Sequence, residues 1–101
     1  MKIKRNEGGF IQSVKITEKA DTWSMDCSLA TIIHAHIKKF RKTTKSHPIS
    51  LTEEAWDQKL KKMQKAFKYI SKEKHLGVFE EKEFVEEGLD LFREYYFHLW
   101  S

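Results

Sequence analysis

Cysteine, proline and glycine are scarce in this chain of 101 residues, which has one Cys, one Pro and four Gly. Because Cys27 is alone, a scaffold held by internal disulfides is excluded. With 40% hydrophobic and 13% aromatic residues, the composition also excludes a disordered or low-complexity chain. The length suits one domain with a single modest core.

Long apolar runs are missing as well. No stretch approaches the ~20 apolar residues that span a bilayer. The N-terminal residues "MKIKRNEGG" lack the apolar segment of a signal peptide. The sequence therefore predicts a soluble protein of the cytoplasm with no membrane partner.

Acidic residues are scarce in the middle of the chain. Residues 37–75 carry twelve Lys or Arg and four Asp or Glu, whereas residues 76–101 carry two and seven. The net charge of +4 conceals this asymmetry. A basic middle and an acidic end favour an anionic partner, a complementary contact between copies of the chain, or both.

The hydrophobic pattern predicts a mainly α fold. Residues 1–20 suggest a β-hairpin or extended arm, in which "NEGG" makes the turn between "KIKR" and "FIQSVKI". Residues 21–101 predict an antiparallel bundle of three helices, and the two parts form a single domain.

The first helix is expected over Ser24–Lys42, with Ser24 as its N-cap and Asp26 in the first turn. We expect His36 to be a core histidine and Cys27 to lie on the polar side. The predicted apolar stripe consists of Met25, Leu29, Ile32, Ile33, His36, Ile37 and Phe40.

Two further helices follow the only proline, Pro48. Thr52 is expected to cap the second helix and Leu51 to pack on Trp56, and Gly77 to end that helix. The third is expected from about Glu80 to Trp100. Gly88 within the third helix predicts a close approach of another backbone there.

Basic residues recur at helical spacing opposite the apolar stripes of the first two helices. The stripe predicted for the second helix consists of Trp56, Leu60, Met63, Phe67 and Ile70. Together they predict a plane or groove that binds phosphates, although a solvated lysine-rich surface fits the same pattern. Trp23 and Tyr69 are candidates for stacking on bases, and for Trp23 a lid over the core is the alternative. The two basic ridges are His34, Lys38, Arg41 and Lys45, and Lys61, Lys65, Lys68 and Lys72.

Metal and catalytic chemistry are disfavoured. His34 and His36 are two residues apart, so a helix directs them to opposite sides. Cys27 and His34 are separated by about 10 Å along a helix, which is too far for direct proton transfer. We therefore predict no metal, no cofactor and no enzymatic activity.

Three segments resemble a family of small, uncharacterised proteins encoded by tailed bacteriophages. The segments are "DTWSMDCSLATII", "LTEEAWDQKLKKMQKAF" and "EEGLDLFREYYFHLW". Members often have a proline late in the first helix, near His36, and this chain lacks it. The resemblance implies a phage gene without implying an activity. The matching positions are Trp23, Ser24, Asp26, Trp56, Asp57, Glu87, Gly88, Leu89, Leu91, Phe92, Leu99 and Trp100.

The function predicted from these features is non-enzymatic binding in anti-defence or host takeover. The protein would sequester an anionic nucleotide signal or block a host defence protein. Alternatives are a nucleic-acid-binding accessory protein and a virion or scaffold component. The apolar arc of the third helix is wider than one neighbour requires, so we also predict a homo-oligomer through Leu89, Tyr96 and Trp100.

Overall fold

The computed structural model describes residues 1–72 and 82–100 and is mainly helical, with a two-stranded antiparallel hairpin at the N-terminus. Gly77 and the predicted start of the last helix at Glu80 lie outside the described residues. The elements are β1 (Lys2–Arg5), β2 (Ile11–Lys15), α1 (Ala20–Trp23), α2 (Met25–Thr43), α3 (Glu53–Ser71), α4 (Lys82–Tyr95) and a 3₁₀ turn (Tyr96–His98).

The predicted hairpin is confirmed. The Asn6 side chain accepts hydrogen bonds from the backbone N–H groups of Gly8 and Phe10, each at 3.0 Å. Gly9 takes a φ of 85°, which a residue with a Cβ rarely adopts. Ile3 pairs with Val14 and Lys2 with Lys15, so one face of the hairpin is apolar and the other basic.

Helix α3 contains the best-buried residues. The predicted cap is confirmed, since Thr52 Oγ1 accepts a hydrogen bond of 3.0 Å from the backbone N–H of Ala55. Trp56, Leu60 and Met63 are almost fully buried, and Leu51 packs against the cluster they form. The apolar stripe predicted for this helix therefore faces the core.

Helix α3 packs antiparallel against both α2 and α4. Arg41 of α2 bonds to Asp57 at 2.9 Å, and Glu87 of α4 bonds to Lys62 at 2.6 Å. No Cα atom of α2 lies within 8 Å of one in α4, and an open cavity of about 380 Å³ lies between them. The antiparallel three-helix bundle is therefore not confirmed as a closed arrangement.

The buried face of α2 differs from the predicted stripe. Cys27 and Ala30 are buried against the rest of the protein, whereas Met25 and Leu29 are 56% and 46% exposed. The polar placement of Cys27 was wrong. The expectation of a core His36 was wrong too: His36 is exposed, and its Nδ1 lies 2.8 Å from the Ile32 carbonyl oxygen of the same helix.

Small side chains explain this rotation. Cys27 and Ala30 let α2 approach its neighbour closely, and a pattern that weights large apolar residues overlooks such positions. The side of α2 that carries Met25, Leu29 and Ile32 is not packed into the core and lines an open cavity. Helix α2 thus has more apolar surface than its own chain buries.

The start of α2 also departs from expectation. Ser24 precedes the helix as predicted, but its side chain makes no capping hydrogen bond. The four-residue helix α1 precedes it and was not predicted, because so short a segment has no periodicity to detect. Trp23 ends α1 with 81% of its surface exposed, so it is no lid over the core.

The close approach predicted at Gly88 is confirmed. A Cβ built on Gly88 would lie 2.9 Å from the Lys62 carbonyl oxygen and would overlap the Cβ of Ala66. Glycine is therefore what lets α4 lie directly on α3. Past this contact α4 ends at Tyr95, and a 3₁₀ turn takes the place of the predicted last helical turn.

Candidate functional site

The two predicted basic ridges meet along the line where α2 and α3 pack, but not over their full length. We call the group His34 and Lys38 of α2 with Lys61 and Lys68 of α3 the basic seam, in which Lys38 and Lys68 act on His34 and Lys61 lies toward Asp57. It forms because α2 and α3 run antiparallel, which brings His34 near Lys68 and Arg41 near Asp57. Lys38, Lys61 and Lys68 are exposed, and His34 is half-buried.

His34 is the electrostatic centre of the basic seam. Burial lowers the pKa of His34 most, and the positive charges of Lys38 and Lys68 lower it further. Its Nε2 is buried and has no hydrogen-bond partner within the protein. Burial and the charges of Lys38 and Lys68 thus disfavour a proton on the imidazole, and a bound anion would offset the effect of those charges.

The other end of the α2–α3 contact is neutralised by an acid. Arg41 donates from Nε and Nη2 to the two carboxylate oxygens of Asp57, at 2.9 and 3.1 Å, and from Nη1 to Gln64 Oε1 at 3.0 Å. This hydrogen bond and charge lower the pKa of Asp57, and Lys61 adds to the effect. Arg41 is therefore engaged in joining the helices.

Lys45 lies close to that neutralised end. It lines a small cavity of about 110 Å³ together with Arg41, Asp57 and the acidic Glu53. Lys72 is exposed at the C-terminal end of α3. Among residues 1–72 and 82–100, neither Lys38 nor Lys68 at the His34 end of the seam forms an ion pair.

Lys65 and Tyr69 face away from α2. The Lys65 ammonium lies 4.7 Å from the centre of the Phe84 ring of α4. The Tyr69 ring packs edge-on against the same Phe84, with 5.3 Å between ring centres. Trp23 precedes α2 and lies roughly 16 Å along the helix direction from His34. The structure does not bring either aromatic residue beside His34.

The predicted oligomer edge is divided between two places. Leu89 and Tyr96 are exposed, and Tyr96 lines the cavity between α2 and α4. Trp100 lies elsewhere, at a cavity of about 650 Å³ formed with His47 and Ile49. The three residues therefore do not form one patch.

Sequence reasoning missed the two residues that join the helices, Asp57 and Gln64. Asp57 was read as part of a family pattern, and Gln64 was not singled out. Both lie on the side of α3 that faces Arg41. A polar pair seven residues apart on one helix, opposite an arginine, was the available signal.

In residues 1–72 and 82–100, no three His, Cys, Asp or Glu side chains are grouped to hold a metal ion. Within that same part of the chain, no helix is both long and apolar enough to cross a membrane.

The chain was compared with protein-family models, curated proteins and solved structures, and none of them matches it.

Proposed function

We propose that this is a non-enzymatic binding protein that captures an anionic nucleotide at the basic seam. The observation that supports it is the group of His34, Lys38 and Lys68, in which burial and then the charges of the two lysines lower the pKa of a half-buried histidine. Bringing like charges together costs free energy that a bound phosphate would recover. A phosphate between the two ammonium groups would also offer an acceptor to a protonated His34.

We place this activity in the host cytoplasm, in a tailed-phage protein of anti-defence or host takeover. The support is the resemblance of "DTWSMDCSLATII" and the two later segments to phage proteins. A small binding protein acts stoichiometrically, so sequestration of a nucleotide signal suits it. Blocking a host defence protein is the second role of this kind.

Self-association completes the proposal. A second subunit against Leu89 and Tyr96 would cover exposed apolar surface on α4.

Calorimetry with a panel of cyclic di- and trinucleotides tests the proposal. We expect binding by at least one of them and a tenfold or larger loss of affinity in Lys38→Glu and Lys68→Glu. Lys39→Glu is the matched control, because it makes the same charge change at an exposed position of the same helix. NMR titration should show that the bound nucleotide raises the pKa of His34, since it adds negative charge beside the ring.

Three results would contradict nucleotide capture. Equal losses in Lys39→Glu and Lys68→Glu would mean that only overall charge matters. A gel shift with DNA or RNA that weakens steeply with salt, without nucleotide binding, would favour the nucleic-acid alternative. Copurification with phage particles and no ligand binding would favour a virion or scaffold component.

A further inference from the structure

A continuous apolar face runs across one side of the molecule. One open cavity of about 500 Å³ lies between the hairpin and α2, and the cavity of about 380 Å³ lies between α2 and α4. Ile32 and His36 line both cavities, so they join the two into one surface. We call this surface the α2 face, and His36 and Ile32 lie at its middle.

The hairpin faces this surface without packing on it. Neither strand has a Cα atom within 8 Å of a described helical Cα. Ile3 and Val14, which pair across the hairpin on its apolar side, both remain exposed. An isolated two-stranded hairpin is marginally stable in water, so this position calls for a further contact.

The amount of exposed surface matches what a dimer buries. The accessible surface is 8061 Å², about 2,000 Å² more than the roughly 6,000 Å² expected for a compact monomer of 12.1 kDa. The radius of gyration of 15.0 Å likewise exceeds the value of about 13 Å for a domain of this length. Permanent homodimers bury about 1,000–2,500 Å² per subunit, which is comparable in size to this excess over the whole chain.

We propose that a second copy of this chain covers the α2 face in a two-fold symmetric dimer. The same patch then meets itself, with the axis passing near Ile32 and His36, as a symmetric contact requires. The side chains beside His36 on this face, Ile32, Ile33 and Leu29, are apolar, so two copies can pack them together without burying a charge there. None of the basic-seam residues lines either cavity, although His34 and Lys38 belong to α2, so the seam lies outside this contact.

This dimer shares only Tyr96 with the contact proposed through Leu89 and Tyr96, since Tyr96 lines the cavity between α2 and α4. Its centre is α2 instead of α4, and it gives the N-terminal hairpin a packing partner. It does not depend on the basic seam or on a ligand. A failure of nucleotide binding therefore leaves it standing, and its own failure leaves nucleotide capture standing.

Analytical ultracentrifugation of the full chain tests the dimer. We expect a dimer at micromolar concentration and at least a tenfold weaker dimer in Leu29→Asp and in Val14→Asp, which place a charge on the α2 face. Ile49→Asp is the matched control, because Ile49 is fully exposed and lies off this face. Circular dichroism shows whether each variant is folded. Because the two substitutions lie in different elements, the test remains valid if one of the variants fails to fold.

Cross-linking locates the symmetry axis. His36→Cys should give a covalent dimer with a short bismaleimide, whereas Ile49→Cys should not. Cys27 is buried and is the same in both variants. A monomer at all concentrations would overturn the proposal. So would a dimer that Leu29→Asp and Val14→Asp leave unchanged, or a monomer that binds a different protein through this face.

Discussion

Helices α2 and α3 have the same length, 19 residues each, yet they bury their apolar residues very differently. Leu60 and Met63 of α3 are completely buried, whereas Leu29 and Met25 of α2 are about half exposed. Helix α3 has a neighbour on each side, whereas among the described elements α2 contacts α3 and, at its N-terminal end, only the short helix α1. The amphipathic pattern of a helix therefore shows how much apolar surface needs a packing partner. Whether that surface is buried within the same chain depends on which elements lie next to the helix.

The largest effect is expected from replacing one leucine in each of these two helices. Leu60→Ala should lower the free energy of unfolding by about 2–5 kcal/mol, because it leaves a cavity in a fully packed site. Leu29→Ala should lower that free energy much less at concentrations where the protein is monomeric, since Leu29 is half exposed. Urea unfolding monitored by circular dichroism measures both.

The concentration dependence of the same measurement sharpens the contrast. If the α2 face is a dimer interface, the loss in Leu29→Ala grows as protein concentration rises, because unfolding then includes dissociation. The loss in Leu60→Ala should change less over that range. Equal losses at low concentration would mean that α2 and α3 are buried alike, contrary to the structure.

The second test concerns the contact between α3 and α4. Gly88→Ala should lower the free energy of unfolding by about 1–2 kcal/mol, since overpacking at Ala66 and Lys62 exceeds the gain in helix propensity. Adding Ala66→Gly should recover part of the loss by removing one of the colliding atoms. Unfolding curves of both single variants and the double variant give the coupling free energy between positions 66 and 88. A stabilised Gly88→Ala would contradict the close packing.

Some of these features were predictable from local chemistry and others were not. The Thr52 cap and the close approach at Gly88 were predicted because each depends on one residue type with one clear reason to be there. The rotation of α2 was missed because Cys27 and Ala30 bury little area themselves but permit close packing. The pairing of Arg41 with Asp57 depends on which sides of two helices meet, and spacing within one helix does not determine that.

The third test weakens the contact between α2 and α3. Asp57→Asn should lower the free energy of unfolding at pH 7 by at most about 1 kcal/mol, because Asp57 is partly exposed and water screens its bond to Arg41. The hydrogen bond with Arg41 lowers the pKa of Asp57 in the folded protein. This contribution is therefore present above the unfolded-state value near 4 and is lost as pH falls through the folded value.

Unfolding at pH 7 and near pH 3 measures that dependence. The difference between Asp57→Asn and the unmodified protein should shrink at the lower pH. Asp90→Asn makes the same chemical change at an exposed position of α4 and serves as the control. A difference that persists unchanged in acid would show that the carboxylate charge is not what joins the helices.

The smallest expected effect has the opposite sign and lies where the basic seam joins α2 to α3. His34→Leu should raise the free energy of unfolding by less than about 1 kcal/mol, because it removes a buried nitrogen that has no partner. Burial and the charges of Lys38 and Lys68 lower the pKa of His34 in the folded protein, so the unfolded chain binds a proton more readily. Stability of the unmodified protein should therefore fall as pH drops from about 6.5 toward the folded-state value, and His34→Leu should lack this slope. Urea unfolding between pH 5 and pH 8 measures both effects.

If His34→Leu is more stable but no longer binds the nucleotide, the histidine is retained for binding at a cost in stability. If it is less stable at every pH, His34 is an ordinary packing residue of α2, and the case for a ligand at the seam rests on the lysines alone.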